Sequence, residues 1–198
     1  MRSVAISPPY TPLTQQRMCC VPCAVQWVLL RRKLPIFTQE EIGMALHLTV
    51  PPRYKKLYVE NVRVSAKTPH HGWGTQTMGE ELFNDFFRKR KLPLRVAYFP
   101  YSKLKKPETL IESSLKKGSD VMIIIFMGVV DKKYRWGHAL LVSRIARGKE
   151  SVITVGDPNF IAAKFYDVPL ETLLKGMTKK HGKTERGLYI FSRRRISR

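Results

Sequence analysis

Hydrophobic positions change their period near residue 120 of this chain. Before that point they recur at helical spacing, and after it they run in short continuous blocks. The stretch Val21–Leu30 is apolar on nearly every side, the pattern of a central, buried helix. It predicts a helix over about 22–32, with Pro22 in the first turn, where its fixed φ fits and its missing N–H costs nothing, and with Pro35 as the break. Thr38-Gln39-Glu40-Glu41 has the form of a capping box and predicts a second helix to about 47. Leu82, Phe83, Phe86 and Phe87 form a stripe that predicts a third helix over 78–90, capped by Thr77. A short strand over 94–99 follows. Leu110, Ile111 and Leu115 predict a fourth helix over 107–116, stopped at Gly118.

From Asp120 onward the blocks read as strands over 120–130, 138–145, 151–155 and 187–192, with a short helix over 169–176. Arg147-Gly148-Lys149 is a turn sequence, so the second and third of these strands form a hairpin. Helices first and an antiparallel sheet afterwards make an α+β fold. Residues 1–14 are a proline-punctuated extended arm (Pro8, Pro9, Pro12), 50–74 are irregular, and 193–198 are a basic tail. No internal repeat is visible, and 198 residues suffice for one domain with a sizeable core.

Composition narrows the function. A hydrophobic fraction of 43% with three Trp, eight Tyr and nine Phe excludes a disordered chain. Thirty-six Lys and Arg against fifteen Asp and Glu give a net charge of +21, which favours contact with polyanions such as nucleic acid or acidic surfaces, or else a solvated basic surface. The three cysteines, Cys19, Cys20 and Cys23, lie too close together for a disulfide framework, which points to a reducing compartment. No apolar signal segment opens the sequence, and the longest apolar run, 121–130, is strand-sized. A cytoplasmic protein is expected.

The candidate chemistry gathers at the start of the first helix. Cys20 falls at or just before the helix N-terminus, where free N–H groups and the macrodipole favour a thiolate. His138 opens the strand Ala139-Leu140-Leu141-Val142, and Asp157-Pro158 ends the strand after the hairpin turn. In an antiparallel hairpin the start of one strand lies beside the end of the next, so His138 and Asp157 are expected together at one end of the sheet, at its edge and outside the core. There a carboxylate can fix an imidazole while the other ring nitrogen faces a thiol. Cys23 and Cys19 remain alternative nucleophiles.

These residues resemble the papain-like cysteine peptidases, most of all the bacteriocin-leader-processing (double-glycine) peptidases and their relatives. The shared pattern is Gln15, then Cys20 with Pro22 at the start of a central helix, then His138 heading Ala-Leu-Leu-Val, then Asp157-Pro158. The helices over 77–90 and 107–118, the latter leading into Val121–Ile125, are similar too. The chain departs from the pattern at Val21, where a Gly is usual, at Cys19, where an acid is usual, and in a Gln-to-Cys spacing one residue shorter. The resemblance implies a papain-like fold and a peptide or protein substrate cleaved through an acyl-enzyme. It implies Cys20 as nucleophile, His138 as base, Asp157 as orienter, Gln15 with the Cys20 N–H as oxyanion hole, and no cofactor. The same fold serves amide hydrolases and acyltransferases.

Two other readings compete. Cys20-x-x-Cys23 with His70-His71 has some features of a zinc site, though not the usual second-half spacing. A catalytically silent scaffold binding nucleic acid or a ribonucleoprotein would use the basic clusters 31–33, 53–56, 88–91, 103–106, 179–180 and 193–195, interleaved with Tyr54, Tyr58, Tyr98 and Tyr101.

Overall fold

A computed structural model describes residues 2–69, 72–76, 79–159, 161–179 and 185–194. The predicted cap Thr77 and helix start Met78, the histidines His70 and His71, Lys180, and the tail from Arg195 lie outside the described residues. The elements in order are β1 (Arg2–Ala5), α1 (Cys20–Arg31), α2 (Gln39–Ala45), β2 (Thr49–Val50), β3 (Arg63–Val64), α3 (Glu81–Lys89), β4 (Leu94–Pro100), α4 (Pro107–Lys116), β5 (Asp120–Phe126), β6 (Gly137–Arg147), β7 (Val152–Asp157), β8 (Lys164–Pro169), α5 (Leu170–Thr178) and β9 (Gly187–Arg193). Short 3₁₀ turns occupy Pro52–Leu57, Tyr101–Lys103 and Met127–Val129. The architecture is α+β. The main sheet runs β4-β9-β5-β6-β7-β8 with every pair antiparallel, β1 adds to β6, and β2 and β3 make a small parallel pair.

The all-round apolar character of α1 has the expected consequence: Val21 through Leu29 are buried, with Trp27 wholly enclosed. Its C-terminal end is fixed by charge. Asp120, at the start of β5, is fully buried and accepts from Arg31 at 2.5 and 2.9 Å and from Arg32 at 2.6 Å. Arg32 also reaches the carbonyl of Phe191 in β9 at 3.0 Å. A buried carboxylate needs such partners, because an uncompensated one would cost several kcal/mol. Arg31 and Arg32 are therefore internal ion-pair residues, a correction to their place in a basic surface cluster.

α2 begins with the capping box its sequence encodes: the Thr38 hydroxyl accepts from the Glu41 N–H, and the Glu41 carboxylate accepts from the Thr38 N–H. α3 carries the Phe83, Phe86 and Phe87 stripe inward but starts at Glu81. The strand expected over 120–130 stops at Phe126. There the chain turns so that the Met127 N–H bonds the Trp136 carbonyl at 2.9 Å, and the returning segment overhangs the end of the sheet. β8 and β1 were not legible as strands. β8 pairs only with β7 in the sheet order and buries only Val168 fully, so packing demands too few apolar residues of it to mark a strand.

β6 and β7 form the predicted hairpin, with an irregularity that sets their faces. Arg144 lies opposite Thr154 and Ile145 opposite Ile153, whereas Val142 lies opposite Val155 and Leu141 opposite Gly156. Ser143 is thus one extra residue in β6, a bulge. Its hydroxyl donates to the Thr154 carbonyl at 3.1 Å, and its carbonyl accepts from the Ile6 N–H at 2.8 Å just beyond β1. Were Ser143 paired with Val155 in regular register, Asp157 would face Leu141, whose side chain points away from that of His138. With the bulge Asp157 faces Leu140, and Leu140 and His138 share a face. Among the described residues, no helix is long and apolar enough to cross a membrane.

Candidate active site

The arm before α1 is threaded between the helix and the end of β7. The Leu13 carbonyl accepts from Trp27 Nε1 at 2.9 Å and from the Cys23 thiol at 3.3 Å, and the Gln15 N–H donates to the Pro158 carbonyl at 2.9 Å. Met18 then takes a left-handed backbone conformation (φ 61°), which turns the chain abruptly into the helix. Cys19 is the N-cap and Cys20 the first helical residue, so the Cys20 N–H belongs to the turn whose donors have no intrahelical acceptor.

His138 and Asp157 meet as their hairpin placement predicts: His138 Nε2 lies 2.6 Å from Asp157 Oδ1. That leaves Nδ1 free to face the thiol, and Cys20 and His138 are close enough that each shifts the other's ionisation. Burial works against the Cys20 thiolate. It is outweighed by the His138 hydrogen bond and charge and by the backbone N–H groups of Ala139 and Val21, so the thiol pKa falls below its ordinary value. Burial likewise opposes charge on His138, and the Asp157 and Cys20 hydrogen bonds overcome it, raising its pKa to about 9. Both shifts favour a thiolate–imidazolium pair. The expected edge position needs correction. β6 is an inner strand, His138 stands at its end with 7% exposure, and Asp157 is fully buried.

The three cysteines are distinguished by their surroundings. Cys23 is fully buried, and burial pushes its thiol up to about 12. Cys19 is buried in a satellite cluster with Leu48, Val50, Tyr58 and Val62, and burial raises its thiol further. Only Cys20 of the three is paired with a histidine. The two glutamines separate in the same way. Gln16 is committed to α2 through Glu40 at 3.0 Å and Gln39 at 2.7 Å. Gln15 lines the cleft with His138 and Asp157, and its Oε1 is buried without a hydrogen-bond partner. Oxygen and nitrogen of such an amide exchange by rotation, so Gln15 offers the cleft a polar group that is not otherwise engaged.

Met127, Tyr134, Trp136 and Asn159 complete the cleft walls. Trp136 is 49% exposed and rests on Tyr134 with ring centroids 4.8 Å apart, an apolar surface beside His138. Sequence reasoning missed Tyr166 of β8, which donates its hydroxyl to Asp157 Oδ2 at 3.1 Å. It also missed the pairing of Gly156 with Trp27: a Cβ on Gly156 would come within 2.6 Å of the indole. Among the described residues, no group of three or more His, Cys, Asp or Glu is placed to hold a metal ion, and His70 and His71 lie outside them.

Several basic residues expected on an open surface are paired: Arg88 with Asp85, and Arg90 with Glu41. The 53–56 cluster has a different setting. The guanidinium of Arg53 lies 4.9 Å and that of Arg17 5.8 Å from the Tyr54 ring centroid, on the 3₁₀ turn before Tyr58. No protein-family model matches this chain, and no curated protein matches it in sequence.

Proposed function

We propose that this protein is a papain-like cysteine peptidase acting through Cys20, His138 and Asp157. The observation that carries the reading is the His138 ring held at 2.6 Å by the buried Asp157 carboxylate, with Cys20 close enough that it and His138 shift each other's ionisation. Asp157 holds His138 in the tautomer with hydrogen on Nε2, so Nδ1 exchanges a proton with sulfur. The Cys20 thiolate attacks a peptide carbonyl. The oxyanion takes hydrogen bonds from the Cys20 N–H and, after rotation of its amide, from Gln15. His138 gives its proton to the leaving amine as the C–N bond breaks, leaving a thioester on Cys20. A water then donates a proton to His138 and attacks the thioester, which releases the acid and restores the thiolate–imidazolium pair. The Trp136 and Tyr134 surface supports a peptide binder, since aromatic walls hold side chains without charge.

The test is a peptide library digested with the protein, with new termini read by mass spectrometry. New termini that vanish in Cys20→Ala are expected, and none with the native protein would sink the reading.

A second reading, docking on a polyanion, draws on the +21 charge and on Tyr54 flanked by Arg17 and Arg53. Binding of single-stranded RNA should weaken log-linearly with salt as counterions are released, and no binding at low salt would end it.

A further inference from the structure

Arg186 stands immediately before β9 and is 6% exposed. Its backbone is well fixed, with its carbonyl accepting from the Tyr101 N–H at 2.9 Å. Its side chain is not. Nη1 is buried without a hydrogen-bond partner, and among the described residues no carboxylate pairs with the guanidinium; the Phe126 ring, 5.9 Å away, is its nearest compensation. Burial alone lowers its pKa, with no acid opposing it. Arg31, similarly buried, is satisfied twice by Asp120. An uncompensated buried cation is costly in the free protein, and a bound anion would remove that cost.

The position of Arg186 says where such an anion would lie. β9 faces β5 at Leu188 and Ile123, and β5 faces β6 at Ile125 and His138. Continued by two residues, the first register puts Arg186 in the same row as Ile125 and His138. The guanidinium leaves that row for the other face of the sheet, beside Phe126 and Gly137: a Cβ on Gly137 would lie 3.7 Å from its Nη2 and 3.9 Å from its Nε. That is the face on which α1 packs, since Gly156, opposite Leu141, meets Trp27 there. Gly137 directly precedes His138 and is exposed, so no side chain there covers the cation.

We propose that Arg186 forms a carboxylate-binding subsite of the candidate active site, taking an acidic side chain or a free C-terminal carboxylate of the substrate close to the bond that Cys20 attacks. This rests on the peptidase reading for its substrate, but not for the anion site itself. A guanidinium presents a planar fork that matches a carboxylate with two parallel hydrogen bonds.

The experiment has two arms. In the first, the thermal midpoint is followed as acetate replaces chloride at constant ionic strength. Acetate raises the midpoint of the native protein saturably and leaves Arg186→Met unmoved. In chloride, Arg186→Met melts at or above the native temperature, because it removes a buried unpaired charge. An acetate effect that persists in Arg186→Met, or no effect in the native protein, overturns the subsite. In the second arm, paired peptides differ only in Glu against Gln near the cleaved bond, or in a free against an amidated C-terminus. One carboxylate member is favoured about tenfold or more in kcat/KM, and Arg186→Met abolishes the preference. Which pair discriminates identifies the source of the carboxylate. Turnover without any such preference overturns the subsite while leaving the peptidase reading intact. Absence of turnover with a retained, Arg186-dependent acetate effect removes the peptidase reading and leaves the carboxylate site.

Discussion

Tyr166 donates its hydroxyl to Oδ2 of Asp157 at 3.1 Å while His138 holds Oδ1 of the same carboxylate at 2.6 Å. The buried acid is therefore fixed from β6 and from β8, and its plane cannot turn without breaking one of the two bonds. A hydrogen bond to a charged group contributes about 1.5–3 kcal/mol. Tyr166→Phe, which keeps the ring, is expected to lower kcat about tenfold with little change in KM. An unchanged kcat would remove Tyr166 as a positioning residue.

The Ser143 bulge makes a prediction of its own. Deleting Ser143 removes the extra residue but leaves Val142 opposite Val155 and Asp157 opposite Leu140, so His138 and Asp157 keep their common face. Thiol reactivity at mildly acidic pH and turnover should both be kept, while loss of the Ser143 carbonyl that accepts from Ile6 should lower the thermal midpoint. Ser143→Ala keeps the extra residue and that backbone bond, and should change neither. A deletion variant that stays folded by circular dichroism but loses thiol reactivity would refute this register.

The pH dependence follows from the pair. Cys20 is below its ordinary thiol pKa and His138 is raised to about 9, so the reactive ion pair persists until His138 loses its proton. Turnover is expected to fall as pH rises through about 9. For stability, a histidine whose folded pKa exceeds its unfolded value contributes fully below about 6.5 and loses that contribution as pH rises through about 9. Melting temperatures of the native protein and His138→Gln should therefore converge between these limits. Parallel curves across that range would contradict the assignment.

Alkylation distinguishes the cysteines. Iodoacetamide at mildly acidic pH should modify Cys20, while Cys19 and Cys23, both buried with raised pKa values, react only after denaturation. Peptide mapping of the singly modified protein decides this, and a first adduct on Cys23 or Cys19 would overturn Cys20 as the nucleophile.

Substitutions in the proposed triad should separate chemistry from stability. Asp157→Asn is expected to reduce turnover by roughly 10²–10⁴-fold, through the wrong imidazole tautomer. His138→Ala strips the buried Asp157 of its shortest hydrogen bond and should lower the thermal midpoint as well as abolish activity. A midpoint unchanged in His138→Ala would place His138 back at an exposed edge.

How much of this could be read from the sequence depended on how local the cause was. The Thr38 capping box and the α1 core are set by neighbouring residues, and they stand where the pattern put them. The meeting of His138 and Asp157 was legible because hairpin geometry joins the start of one strand to the end of the next. The bulge that aligns their faces was not. β6 is buried on both faces from His138 to Val142, so no alternation marks the slip at Ser143. Tyr166 went unseen because β8 is a half-exposed edge strand. Arg31 and Arg32 read as surface charge because their partner, Asp120, is 89 and 88 residues away.

The knot of Arg31, Arg32 and Asp120 acts on Cys20 from the far end of α1. Twelve residues at about 1.5 Å each make a rod of about 18 Å, with the sulfur at one tip and the guanidinium clamp at the other. A tilt of about 3° at the clamp would sweep the tip by about 1 Å, a displacement that on its own can cost about 10²-fold in rate. The aim of the proposed nucleophile is thus set by leverage from a fulcrum beyond the reach of any substrate. Variants of Asp120 should misalign a thiol they never touch.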